Sequence, residues 1–297
     1  MDLLYMDILS TYTVDDWNNR FKEREQKSAL IDLESGKIIF FPQLSFRLYP
    51  EEQSLFIPYC VDKKTKNISF NANMNSLRGL QGDKKHKMQL KSMLARFSQQ
   101  AKTFMISLFP HYENTLITGR TSYRPVQIKN RKSSARKDDS RLHIDAFPAN
   151  PNQGKRILRL FCNINPYGQN RVWRIGETFV DVANRFLPKI SKPMPGSAKF
   201  LYWAGITKSM RTHYDHIMLQ IHNRMKLNID YQKQVKYTEI CFPSGSSWIV
   251  STDAVSHAAI SGQYILEQTF LLPVTTMQNP ETAPLHILEN LLGNPLI

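Results

Sequence analysis

Hydrophobic and polar positions follow two different rhythms along this chain, and the change falls near Asn114. Before it, ALIDL and KIIFFPQLSF are apolar, β-rich runs on either side of Glu34-Ser35-Gly36-Lys37, a turn-like tetrad, and together they predict a hairpin. Farther on, Met88, Met93, Leu94, Phe97, Ala101, Phe104, Met105 and Leu108 recur at helical spacing. They predict a long helix from about Lys84 to Leu108, capped by Asp83 and stopped by Pro110. Its wet back carries Lys84, Lys85, Lys87, Lys91 and Arg96.

After Asn114 the runs TLITGR, SYRPVQI, RLHIDAF, RILRLFCNIN, RVWRIG, KFLYW, YTEICF, SSWIVST and QYILEQTFLL are short, β-rich and separated by Pro, Gly, Asn or charge. Many short strands without alternating helices predict an antiparallel sandwich or jelly roll. One helix interrupts them from about Met210 to Leu227. The expected organisation is a single, mainly β domain. Residues 1–113 supply the hairpin and supporting helices, and 114–273 form a jelly-roll core with a helical insertion near 210–227. Residues 274–297 form a tail able to make a short amphipathic helix, packed on the barrel or against lipid.

Composition adds three constraints. The 16 Phe, 12 Tyr and 4 Trp need burial, so most of the 297 residues are ordered around a sizeable core. Net charge is +14, which favours polyanions: nucleic acid, anionic membrane surfaces or phosphorylated glycolipids. Charge alone does not choose among them, and a solvated basic surface fits as well. Cys60, Cys162 and Cys241 show no CxxC spacing, so neither a disulfide framework nor a zinc knuckle is expected, and a reducing cytoplasm fits. No signal peptide is expected from MDLLYMDILSTYTVDDW, and no run of ~18 apolar residues predicts a membrane span.

The chemistry concentrates in Arg141-Leu142-His143-Ile144-Asp145, an H-x-D in a predicted strand. Strand alternation puts His143 and Asp145 on one face, where both reach one ion. Chance supplies ~0.4 such tripeptides in a chain of this composition. A second copy, His213-Tyr214-Asp215, lies in the predicted helix, where its side chains diverge and read as helix surface. His257, among small residues after SSWIVST, is the candidate third ligand. Two His and one carboxylate form the facial triad of non-haem Fe(II) oxygenases, leaving positions for a co-substrate and O2. A 2-oxoglutarate site also needs a cation for the distal carboxylate, preferably a guanidinium. Many jelly-roll oxygenases place it ten or eleven residues past the second His, but Glu267 and Gln268 stand there. The strand after H-x-D offers Arg156 and Arg159, which alternate, so at most one serves. Arg159 is preferred, with Arg124 and Gln268 as helpers. The charged loop 129–141 carries Lys129, Arg131, Lys132, Arg136 and Lys137, candidates for substrate phosphate or sugar carboxylate and equally consistent with a solvated loop.

The segments LESGKIIFFPQLSF, RTSYRPVQI, DDSRLHIDAFPANPNQGKRILRLFCNINP, RVWRIGETF, YDHIMLQIHNRMK and STDAVSHAAISGQYILEQTFLLP extend from about residue 33 to 273. Together they resemble the Kdo hydroxylases of Gram-negative bacteria. That resemblance implies a double-stranded β-helix, Fe(II), 2-oxoglutarate and O2. Iron falls on His143, Asp145 and His257, and Gln268 stands within the family's own LEQTF pattern. The implied reaction hydroxylates C3 of Kdo in Kdo-lipid A to give Ko, with succinate and CO2 as co-products. The enzyme is then expected in the cytoplasm, peripheral to the inner membrane. The competing readings are a 2-oxoglutarate oxygenase of another substrate and a non-catalytic, polyanion-binding jelly roll. RNA-binding signatures are missing, which argues against nucleic acid, and no HExxH supports a zinc hydrolase.

Overall fold

Short apolar strands need both faces covered. In the computed structural model, which describes residues 8–57, 61, 67–129, 131 and 133–297, two sheets and a helical layer cover them. The strands are β1 (Leu9–Thr11), β2 (Ile38–Phe41), β3 (Ile68–Asn71), β4 (Ser76–Arg78), β5 (Ile117–Arg124), β6 (Arg156–Asn163), β7 (Arg171–Ile175), β8 (Thr238–Phe242), β9 (Ser247–Ser251), β10 (His257–Ser261) and β11 (Ile265–Leu272). The helices are α1 (Glu23–Glu34), α2 (Lys84–Leu108), α3 (Phe179–Phe186), α4 (Ser197–Trp203), α5 (His213–Leu227), α6 (Ile229–Gln234) and α7 (Pro284–Leu292).

The larger sheet has eight strands in the order β1-β2-β9-β6-β11-β5-β3-β4, antiparallel except for β1 with β2. The smaller sheet, β10-β7-β8, faces it. This is the expected jelly-roll sandwich, mainly β with supporting helices. Two cores follow from strand alternation. Phe161, Trp173, Phe242, Trp248 and Val250 fill the space between the sheets, where Phe242 and Trp248 stack with centroids 4.0 Å apart. Leu158, Leu160, Cys162, Leu266 and Phe270 face the opposite way, toward the helices. Strand β6 is therefore buried along its whole length.

Helix α2 has the predicted bounds, and the Asp83 carboxylate accepts from the His86 N–H. It buries Met93, Leu94, Phe97, Ala101, Phe104, Met105 and Leu108, each worth roughly 1.5–3 kcal/mol for the large side chains. Met88 departs from that face and is exposed. The predicted hairpin is absent. ALIDL lies in α1, where Ala29, Leu30 and Leu33 form a buried helical stripe. Gly36, at φ +92°, ends that helix by donating to the Leu33 carbonyl instead of turning a hairpin. KIIF does form a strand, but β2 pairs with β1 and β9. TLITGR and SYRPVQI merge into one strand, β5. KFLYW is helical, within α4, and joins neither sheet. RLHIDAF makes only an isolated bridge through His143. Asp215 is buried rather than on the helix surface: it caps α5 and accepts from the N–H groups of Asn152 and Gln153. The tail forms α7, whose Leu285 and Leu288 pack into the helix-side core. Cys60 and Lys132 lie outside the described residues.

Candidate metal centre

His143 and His257 are a cross-strand pair. Each backbone N–H donates to the other's carbonyl, at 3.0 and 2.9 Å. Asp145, two residues on, donates its N–H to the Thr252 carbonyl at 2.8 Å and so stays on the same face. One donor atom from each of the three side chains lies within 4.8 Å of the other two, the spacing a single ion requires. His143 Nε2 is 3.8 Å from Asp145 Oδ1. The tautomers follow from the backbone. Nδ1 of His143 donates to the Arg141 carbonyl at 2.7 Å, and Nδ1 of His257 donates to the Val255 carbonyl at 2.8 Å. Both Nε2 lone pairs are thereby turned toward the carboxylate, as metal-binding histidines need.

Trp173 stacks on the His257 ring at 5.0 Å, and His222 from α5 meets His143 edge-on at 5.2 Å. Burial pushes His143 well below the ordinary imidazole range, with His257 and Lys226 adding to the effect, and burial lowers His257 too. Burial alone would raise Asp145, but Arg159 and His257 overcome it and hold the carboxyl below the carboxylate range. At neutral pH all three groups are in the form that binds metal.

A cavity of about 220 Å³ opens beside these donors, lined among others by Arg124, Phe147, Arg159, Phe161, Arg171 and Trp173. Glu267 faces the same side of β11 and gathers two of the arginines. Arg159 Nη1 donates to Oε1 at 2.6 Å, and Arg124 Nε donates to Oε2 at 2.7 Å. Arg159 Nη2 also lies 2.9 Å from Asp145 Oδ2, an ion pair set off-line for a hydrogen bond. Arg171 has no carboxylate partner among the described residues. Its Nη1 donates to the Gly262 carbonyl at 3.0 Å, and burial, with Arg124 nearby, pushes its guanidinium down to about 9. Gly262 sits at φ +106°, and a Cβ there would lie 2.9 Å from the Arg171 Cα, so this close approach requires glycine. The Nε groups of Arg159 and Arg171 and the indole N–H of Trp173 are buried without a partner among the described residues. Such unsatisfied donors around a cavity suit a small dicarboxylate bound beside a metal.

Of the residues singled out in the sequence, the fold brings together His143, Asp145, His257, Arg159 and Arg124. Gln268 is a correction. It is fully buried on the helix side of β11, where its Oε1 accepts from Thr121 at 2.6 Å, because alternation turns Glu267, not Gln268, to the cavity. Lys129, Arg136 and Lys137 are exposed, Arg131 is half-buried, and none of the four lines the cavity. Sequence reasoning missed Arg171, Trp173 and His222. Arg171-Val172-Trp173 alternates onto one face of β7, and that same-face spacing was the available signal.

Residues 16–295 match the family described as 3-deoxy-D-manno-oct-2-ulosonic acid (Kdo) hydroxylase. No curated protein matches the chain. Among solved structures the chain is similar to the Kdo hydroxylase KdoO, a non-haem Fe(II), 2-oxoglutarate-dependent dioxygenase. Against its complex with 2-oxoglutarate and Fe(III) the identity is 44%, with 97% of each chain covered and a TM-score of 0.94. Against its cobalt(II) complex the identity is also 44%, with 98% of this chain and 97% of that chain covered and a TM-score of 0.95. A third complex, with succinate and Fe(III), matches at 44% identity, 98% and 97% coverage and a TM-score of 0.94.

Proposed function

The chain belongs to the Kdo hydroxylase family, and from that premise we propose that it hydroxylates C3 of Kdo in Kdo-lipid A, giving Ko. It is a non-haem Fe(II), 2-oxoglutarate-dependent dioxygenase. Fe(II), with 2-oxoglutarate and O2, supplies an oxidant that places one oxygen atom into a C–H bond, with succinate and CO2 as co-products. The protein's part is to hold, orient and keep dry. His143, Asp145 and His257 would hold the iron, with the His222 edge and the Trp173 face packed against the two histidine rings.

Arg171 receives the distal carboxylate of 2-oxoglutarate, since it is buried in the cavity wall and makes no ion pair among the described residues. Arg159 and Arg124, fixed by Glu267, flank it and set the electrostatics of the cavity wall. Phe147, Phe161 and Trp173 exclude water from the remainder. Arg136 and Lys137, exposed on the loop before the metal-binding segment, are left to meet anionic groups of the glycolipid. Such a substrate lies in a bilayer, so the enzyme works at the membrane surface, peripherally; no helix among the described residues is long and apolar enough to cross one.

The observation that carries this reading is the pairing of two inward Nε2 atoms and a carboxylate with a buried arginine that makes no ion pair among the described residues, all in one cavity. The test is to incubate anaerobically purified protein with Fe(II), 2-oxoglutarate, O2 and Kdo-lipid A, then examine the lipid by mass spectrometry. One oxygen gained on the Kdo portion, stoichiometric with succinate and absent in His143→Ala, is the expected result. Iron-dependent consumption of 2-oxoglutarate with no oxygen on Kdo would keep the dioxygenase and reject this substrate.

A further inference from the structure

Residues 189–211 give the core little beyond a partly buried Ile190 and a buried Thr207, yet they carry the three most exposed large apolar side chains of the described residues, Trp203, Met194 and Phe200. Met194 is 78% exposed, Phe200 68%, Trp203 89% and Ile206 54%, and α4 buries no residue at all. Isolated apolar side chains on a surface are ordinary, but an unpartnered cluster that includes Trp and Phe marks an interaction site. Interleaved with them are Lys189, Lys192, Lys199, Lys208 and Arg211, and no Asp or Glu occurs from 187 to 212. None of these five cations makes an ion pair among the described residues.

Both ends of the segment are fixed while its middle protrudes. At the start, the Ser191 carbonyl accepts from Gln220 of α5 at 2.8 Å. At the end, the Lys208 N–H donates to the Ala149 carbonyl at 3.0 Å, and Arg211 Nη2 donates to the Pro148 carbonyl at 2.9 Å. Pro148 and Ala149 directly follow Phe147, which lines the cavity, and Asp145 of the metal centre. The platform is therefore anchored to the stretch of backbone that forms one wall of the active-site mouth.

We propose that residues 189–211 form the membrane-docking surface of this enzyme, seating Trp203, Phe200, Met194 and Ile206 in the interfacial layer of an anionic bilayer. This rests on the reading of the substrate as a membrane glycolipid. Indole and phenyl groups favour the headgroup level, and each Lys or Arg near an anionic leaflet adds attraction. A second copy of the chain is the poorer occupant, because symmetric pairing of this face would set five cations against five. Docking here brings the cavity mouth to the headgroups, so the sugar reaches the metal while the acyl chains stay in the bilayer.

The tryptophans make the test direct. Trp17, Trp173 and Trp248 are buried, so Trp203 is the one that solvent or lipid reaches. The full-length protein is titrated with vesicles containing phosphatidylglycerol, with and without brominated acyl chains. The expected result is a blue shift and bromine quenching that vanish in Trp203→Phe, and binding weakened by at least about tenfold in the Lys199→Glu/Lys208→Glu variant. Vesicle binding without Trp203 quenching places docking elsewhere and overturns the proposal, as does no vesicle binding at all. A concentration-dependent dimer that shields Trp203 without lipid overturns it in favour of self-association. Turnover of a water-soluble, deacylated Kdo substrate separates this from the function itself. If wild type turns over neither this substrate nor Kdo-lipid A, the substrate assignment falls whatever Trp203 reports. Equal soluble turnover by wild type and Lys199→Glu/Lys208→Glu, with a loss confined to vesicle-borne substrate, is the expected pattern.

Discussion

Arg156 and Arg159 stand three residues apart on β6, both buried, on opposite faces of the strand. Arg156 faces the helices and grips Asp253 with two groups, Nε at 2.8 Å and Nη2 at 3.3 Å, while Nη1 meets the Met277 sulfur. This pair is closed: burial works against both charges, Asp253 holds Arg156 above the ordinary guanidinium value, and burial leaves Asp253 raised although Arg156 pulls it down. Arg159 faces the cavity, shares Glu267 with Arg124, leans on Asp145 and keeps its Nε without a partner among the described residues, next to Arg171, which makes no ion pair among them and feels Asp139 and Glu267 only at longer range. One face spends its arginine on joining β6 to the turn after β9. The other carries a surplus of cationic donors that only a ligand completes. Substitutions on the helix face should therefore register in stability, and those on the cavity face in binding and turnover.

The largest expected effect is on the cavity face. Asp145→Ala leaves two ligands where three are needed, so iron content falls well below one per chain and hydroxylation stops. Iron retained at one per chain in this variant would sink the triad. On the other face, Asp253→Ala strands Arg156 without its partner, a loss of roughly 3–5 kcal/mol read from urea unfolding. Replacing both partners with apolar residues of similar volume should restore most of it. A loss under ~1 kcal/mol for Asp253→Ala would mean that water reaches Arg156 and that the contrast between the faces is wrong.

Arg171→Met sharpens the contrast in the opposite sense. It removes a charged hydrogen bond to the co-substrate worth about 1.5–3 kcal/mol, so the KM for 2-oxoglutarate should rise roughly 10- to 150-fold. Stability should hold or increase, because burial already penalises this guanidinium. An unchanged KM would hand the co-substrate carboxylate to Arg159 or Arg124 instead.

How far the sequence could lead is visible in these same residues. The 25-residue helix α2 was legible because its apolar period repeats many times, whereas ALIDL is too short for periodicity to separate strand from helix. His143 and Asp145 were legible because alternation holds even where only a bridge forms. Gln268 was misplaced because which of two neighbours faces the cavity depends on pairing register, and that is set by β5 and β6 together. Arg171 was legible only as far as its shared face with Trp173, and that spacing does not single it out. What distinguishes it is a missing partner, and whether a carboxylate lies nearby is decided by strands far away in the chain.

The smallest expected effect is a slope against pH, and it too belongs to the cavity face. Burial lowers His143, His222 and His257 below the ordinary imidazole value of 6.5. Above that value neither the folded nor the unfolded chain protonates these rings, and they contribute nothing to the pH dependence of stability. As pH falls below 6.5 the unfolded chain takes up protons that the folded chain refuses, so unfolding becomes easier. The slope is at most about 1.4 kcal/mol per pH unit for each ring, until the folded pKa is reached. Metal-free protein should therefore lose stability from pH 6.5 downward. His222→Gln should remove about one ring's share of that slope without removing a metal-binding donor, since His222 turns its Nδ1 to the Ile144 carbonyl and only its edge to His143. Urea midpoints of wild type and His222→Gln compared between pH 7 and pH 5.5 decide it. Parallel curves would show that His222 protonates freely in the folded state, and that the cavity wall at α5 is open to water.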